Sequence, residues 1–168
     1  MTAIDETGIF QALRALRAGT TTHTSLIDLH IVETIISEQG FPHSQQSREY
    51  VLNRILTQTI SDSFVRQHSV LGASAPRPDE SRSEALAAIR LDGQTGNLEL
   101  LGWSWLYYHF VRVDLQITAA EFCAQVNISL RTLRRYQRRA LKRLTMQILE
   151  AEQHVQSGLA QGQSKPTP

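Results

Sequence analysis

Between residues 128 and 144 the chain reads ISLRTLRRYQRRALKRL, and the 100° step of an α-helix sorts these residues into two faces that do not mix. With Leu133 at zero, Leu130, Leu133, Tyr136, Ala140, Leu141, Leu144 and Ile148 fall between about −60° and +80°. Arg131, Arg134, Arg135, Arg138, Arg139, Lys142 and Arg143 fall between about 100° and 280°. From Arg131 to Arg143 there are seven cations and no acid. Repulsion costs roughly a few tenths of a kcal/mol for each cation pair spaced four apart. Arg131 also opposes the helix dipole at the helix start. A merely solvated face would dilute that repulsion with Glu, so this face is expected to meet a polyanion.

The residues just before it prescribe how the helix begins. In ITAAEFCAQVN, Thr118 with Glu121 three residues on is a capping box that opens a short helix. Phe122 and Val126, four apart, face inward. Asn127 tolerates the left-handed conformation that ends a helix. Ile128 can plug the gap between two helices, and Ser129 can cap a second helix starting at Leu130. Helix, tight turn, helix is the helix-turn-helix pattern.

In such a pattern the start of the second helix enters the major groove of double-stranded DNA. Arg131, Arg134, Arg135 and Arg138 cluster on one side there. A guanidinium can bond bidentately to guanine or grip a phosphate. Ser129 and the free N–H groups at the helix start can hold a phosphate. Arg139, Lys142 and Arg143 lie farther along and are expected on the DNA backbone. The candidate contact set is Ser129, Arg131, Thr132, Arg134, Arg135, Arg138, Arg139, Lys142 and Arg143.

Over residues 117–144 the stretch resembles, without a gap, the fourth region of bacterial sigma factors, which reads the upstream promoter element. The matching features are Thr118, Glu121, Val126-Asn127-Ile128-Ser129, Leu133 and Ala140-Leu141-Lys142-Arg143-Leu144. The resemblance implies that Arg131, Arg134 and Arg135 read bases and that Ser129 touches a phosphate. The chain departs from that family at Leu130, where Arg is usual, and at Asn127, where Gly is usual. Nothing upstream resembles a polymerase-binding region. An aromatic helix followed by an S-x-R-T-L-x-R-Y turn is more loosely similar to N-terminal modules of large bacterial regulators. In those, a nucleotide-switch ATPase and helical repeats follow. This sequence contains no ATPase motif.

The rest of the 168 residues reads as an acidic helical body. Residues 1–117 hold 9 Lys/Arg against 13 Asp/Glu, while residues 118–145 hold 7 against 1. The two parts can dock on each other as well as on outside partners. Apolar spacing predicts helices over IFQALRALRAG, LIDLHIVETIISEQG and SQQSREYVLNRILTQTISDSFVRQH, with Gly19 and Gly40 as stops. SVLGASAPRPDE reads as a break. SRSEALAAIRL reads as a short helix with Ser83 as cap, and DGQTGN as a turn. GNLELLGWSWLYYHFVRVDL is aromatic on more than one face and so predicts a mostly buried helix. SGLAQGQSKPTP predicts disorder or a linker.

The expected fold is therefore an all-α helical bundle with a C-terminal helix-turn-helix. Its parts are a helical N-terminal region (1–68), a loop or hinge (69–81), a helix-turn-helix region (82–153) and a tail (154–168). The expected function is DNA-binding transcriptional control, with a homodimer mate or a downstream regulatory domain as further partners. The competing reading is an adaptor whose basic helix docks on an acidic protein; RNA or anionic lipid are further polyanions such a helix could meet. No paired carboxylates beside a base, glycine-rich phosphate loop or nucleophile elbow is present, so an enzyme is not expected, nor a cofactor. Six histidines without ligand spacing and a single cysteine, Cys123, predict no metal site. Cys123 is expected to fill a small space in the core. The opening MTAIDETG is not cationic then apolar, and the greasiest run is too short to span a bilayer. A cytoplasmic setting and no membrane partner are expected.

Overall fold

The centre of the structure, a computed structural model that describes residues 3–162, is the helix α5 (Leu98–Leu106). Every residue from Leu100 to Leu106 is buried. Apart from Ser104, these side chains are apolar on every face, as a helix enclosed on every side requires. Around it stand α1 (Glu6–Ala18), α2 (His30–Gln39), α3 (Gln45–Val70), α4 (Arg82–Gln94), α6 (Ala119–Val126) and α7 (Leu130–Gly162). The described residues contain no strand, so the chain is all-α. α5 packs on α7, α3 and α4; α4 packs on α6; and α1 and α2 both reach α7. One apolar core joins residues from both sides of the 71–81 loop, from Ile9 through Phe64 to Ile148.

Most helix ends follow the sequence. α1 and α2 stop at Gly19 and Gly40, both left-handed at φ 66°. Ser44 caps α3, accepting from the Ser47 N–H at 3.1 Å. Several expectations are corrected. The single helix over LIDLHIVETIISEQG is two elements, because Ser25–Asp28 forms a 3-10 turn and Leu29 is extended before α2 begins. α4 is capped by Ser81, not Ser83, in a capping box with Glu84. DGQTGN is not a turn throughout: Asp92, Gly93 and Gln94 finish α4, and the chain turns at Thr95–Gly96. α3 runs to Val70, so the break begins two residues later than expected.

The aromatic helix is also shorter than its pattern. After Leu106 the backbone widens into a π-helical segment, Tyr107–Val111, closed by the Arg112 N–H bonding to the Tyr107 carbonyl at 2.9 Å. A wider turn frees a carbonyl from the α-helical ladder. Arg17 of α1 donates to the His109 carbonyl at 2.6 Å. The tail expected to be disordered or a linker from residue 154 is instead helical through Gly162. Gln156 links it to the start of α2, its Nε2 lying 3.3 Å from His30 Nδ1. The remainder of that predicted tail, 163–168, lies outside the described residues.

Candidate nucleic-acid interface

The turn between α6 and α7 is set by three local devices. Thr118 Oγ1 accepts from the Glu121 N–H at 3.2 Å, and Glu121 Oε2 accepts from the Thr118 N–H at 3.0 Å. That backbone donor, with the Arg82 guanidinium beside it, brings the Glu121 carboxyl down to about 2. Asn127 ends α6 in the left-handed region at φ 54°. Ser129 Oγ then accepts from the Thr132 N–H at 3.1 Å, capping α7, which starts at Leu130. Helix, three-residue turn and helix therefore follow one another as the sequence predicts.

Two contacts with neighbouring helices fix the directions of α6 and α7. Gly102 of α5 lies so close to α7 that a Cβ there would stand 3.1 Å from both the Ala140 Cβ and the Tyr136 carbonyl oxygen. Gly93 of α4 lies equally close to α6: a Cβ there would come 2.9 Å from Val126 Cγ1 and 3.1 Å from its Cα. Side chains reinforce both. Trp105 Nε1 donates to Gln137 at 2.7 Å, and Arg90 of α4 donates twice to Gln125 at 2.8 and 3.1 Å. Trp105 also meets Phe122 edge to face at 5.2 Å. The first helix of the pair is thus braced by α4 and the second by α5.

The two faces of α7 separate as the wheel predicts, with one exception. Leu133, Tyr136, Ala140, Leu141, Leu144 and Ile148 are buried. Leu130, assigned to the apolar face, is 45% exposed; it is the first residue of α7, and burial begins at Leu133. Arg131, Arg134, Arg135, Arg138, Arg139, Lys142 and Arg143 are all exposed. Among the described residues, Arg131, Arg134, Arg138, Arg139 and Lys142 have neither an ion pair nor a hydrogen bond. Arg135 lies over the Tyr136 ring at 5.8 Å. Only Arg143 pairs with an acid, Glu99 of α5, at 2.9 Å. The acidic body therefore leaves most of this basic face uncompensated. The two hydroxyls in the candidate set are engaged with each other, Ser129 donating to Thr132 at 3.0 Å.

Residues outside the predicted set border the arginines. Phe10 of α1 joins Arg131, Arg134, Gln137 and Arg138 around an open concavity of about 510 Å³. Arg14, one turn along α1, stands over the Phe10 ring at 5.9 Å. No sequence signal places α1 here, because the contact depends on tertiary packing between segments 120 positions apart or more. Cys123 is half-buried, and burial pushes its thiol up, away from the thiolate form a nucleophile needs. No group of three or more His, Cys, Asp or Glu among the described residues is placed to hold a metal ion. No described helix is long and apolar enough to cross a membrane.

Comparison with protein-family models, with curated proteins and with solved structures gives no match. The functional reading therefore rests on the geometry of this basic face and of the turn that precedes it.

Proposed function

We propose that the chain binds double-stranded DNA through α6 and α7, acting as a helix-turn-helix regulator of transcription or as the DNA-binding module of one. The observation that carries this reading is the uncompensated basic face of α7. Five of its seven cations have no partner within the described residues, although the remainder of the chain is acidic. Arg131, Arg134, Arg135 and Arg138 are assigned to the groove. Arg139, Lys142 and Arg143 are assigned to phosphates, with Ser129 and Thr132 at the start of α7 marking the first phosphate. The similarity to sigma region four favours Arg131, Arg134 and Arg135 as base readers.

Fluorescence polarisation with random-sequence and genomic duplexes tests the reading. If five or six phosphates are neutralised, affinity should fall by roughly two to four decades between 50 and 200 mM salt. Arg134→Ala should narrow the difference between preferred and random duplexes. Lys142→Ala should weaken all duplexes alike and flatten the salt slope by about one unit. Absence of salt-sensitive binding at 50 mM overturns the proposal and leaves an acidic protein as the partner of this face. Identical behaviour of the two variants overturns the division between base and phosphate contacts.

A further inference from the structure

Away from α7, the loop 71–81 roofs a cavity of about 310 Å³, the size of a small-molecule pocket. Four of its polar lining side chains are buried, His68, Glu80, Asp92 and Tyr108, none more than 6% exposed. Asp92 is fully engaged. His68 Nε2 lies 2.8 Å from its Oδ1, and Ser104 donates to its Oδ2 at 2.7 Å.

Glu80 is not so provided. Its Oε1 accepts from the Tyr108 hydroxyl at 2.6 Å, and its Oε2 has no hydrogen-bond partner among the described residues. Among the described residues no cation pairs with this carboxylate. Arg112 donates to the Glu80 backbone carbonyl at 3.0 Å and turns its fork to Asp114. Arg77, at the rim, is directed to Asp79 and Glu84. A carboxylate 6% exposed, with one phenol as its hydrogen-bond partner, is short of positive charge. The second carboxylate in the wall, Asp92, is taken up by His68 and Ser104, so Glu80 is the group left to receive a cationic head.

We propose that this cavity is a binding site for a small organic cation, with an ammonium or guanidinium head on Glu80 and a short apolar tail against Ala88, Leu91 and Pro76. The site is built to report its occupancy. Asp92 in its wall immediately precedes Gly93, the residue that abuts Val126 at the end of α6. An occupant that displaces α4 therefore presses on the turn leading into α7. The inference that such a cation regulates DNA binding rests on the function proposed above, whereas the binding site does not.

The test uses the full chain without DNA. Amide ¹H–¹⁵N spectra are recorded with propylammonium, propylguanidinium and, as anionic control, propionate, at equal ionic strength. The cations should shift amides in 73–80 and 88–95 saturably, with Kd on the order of 1 mM for ligands this small. The shifts should extend to Val126 and Asn127, and propionate should leave all of these unmoved. The tighter of the two cations identifies the head group. Glu80→Gln should weaken binding about tenfold or more. Ala88→Leu, which fills the cavity without changing its charge, should weaken it also and serves alone if the first variant does not fold. No saturable shift, the same shifts with propionate, or unweakened binding in a folded variant overturns the site. Shifts that saturate but stop short of Val126 overturn the coupling.

Discussion

Removing the Glu152 carboxylate should loosen α2 from α7, and the structure allows the size of the effect to be worked out. α2 has no cap of its own, because Leu29 stands at its N-cap position and offers no side-chain acceptor. Glu152 of α7 supplies the missing acceptors, taking the His30 N–H on Oε1 and the Ile31 N–H on Oε2, both at 2.9 Å. The His30 ring adds Nδ1 at 2.8 Å, and Glu152 is 4% exposed. A hydrogen bond to a charged group contributes about 1.5–3 kcal/mol, and the helix dipole adds up to about 1. Desolvation of the carboxylate offsets part of this. Glu152→Ala, which leaves two N–H groups without partners, should therefore cost about 2–4 kcal/mol in urea denaturation at pH 7, and Glu152→Gln about half that. A loss below about 0.5 kcal/mol for Glu152→Ala would refute the argument.

The pH dependence gives a second check on the same residue. Burial alone would raise the Glu152 pKa, but the Ile31 and His30 backbone donors and the His30 ring outweigh it and hold the carboxyl below its usual range. A group depressed in the folded state contributes its stability above the unfolded pKa and loses it as pH falls through the folded one. The gap between wild type and Glu152→Gln should therefore narrow progressively below about pH 4.5. A gap that widens on acidification contradicts the assignment.

Two further perturbations follow from the packing. His109 stacks on Trp105 at 4.0 Å, lies 2.9 Å from the Ile117 carbonyl through Nδ1, and is brought to about 4, chiefly by burial. Its unfolded form takes a proton near pH 6.5, so its contribution is complete above that pH and is lost as pH falls toward 4. The wild-type Tm should drop more steeply than that of His109→Phe between pH 7 and 5; equal slopes would show that His109 is not the titrating group. Gly93→Ala should cost about 1–2 kcal/mol by denaturation, since overpacking against Val126 exceeds the roughly 1 kcal/mol gained in helix propensity. Gly158→Ala, with nothing within 4 Å, should instead stabilise by a few tenths to about 1 kcal/mol. If both substitutions stabilise, the close approach of α4 to α6 does not constrain the fold.

The elements legible in the sequence are those whose causes are local. The Thr118–Glu121 box, the left-handed Asn127, the Ser129 cap and the two faces of α7 are each fixed by residues a few positions apart, and all are found in the structure. The all-round apolar character of α5 likewise announces its burial. What escaped has distant causes. Apolar residues recur at helical spacing through Leu29, so the break before α2 is invisible until Glu152, 122 positions beyond His30, is seen to cap it. Gly93 reads as a turn glycine in DGQTGN because nothing nearby shows that Val126 will rest against it. The C-terminal segment is poor in apolar residues, yet its helix continues from a well-anchored one and needs no core of its own. The border of the basic face by Phe10 and Arg14 likewise appears only once α1 is packed.

α7 is a single rod of 33 residues, roughly 50 Å long. Its close approach to α5, Ala140 beside Gly102, lies between Arg131, about 14 Å toward one end, and Glu152, about 18 Å toward the other. A rod bearing on a point between its ends is a lever. A tilt of about 5° about that fulcrum would carry Arg131 about 1.2 Å one way and Glu152 about 1.6 Å the other. Paired guanidinium bonds are gained or lost over that distance. The start of α2 thus holds one arm of the rod whose other arm carries the arginine face, and the two arms would move in opposite directions in any such tilt.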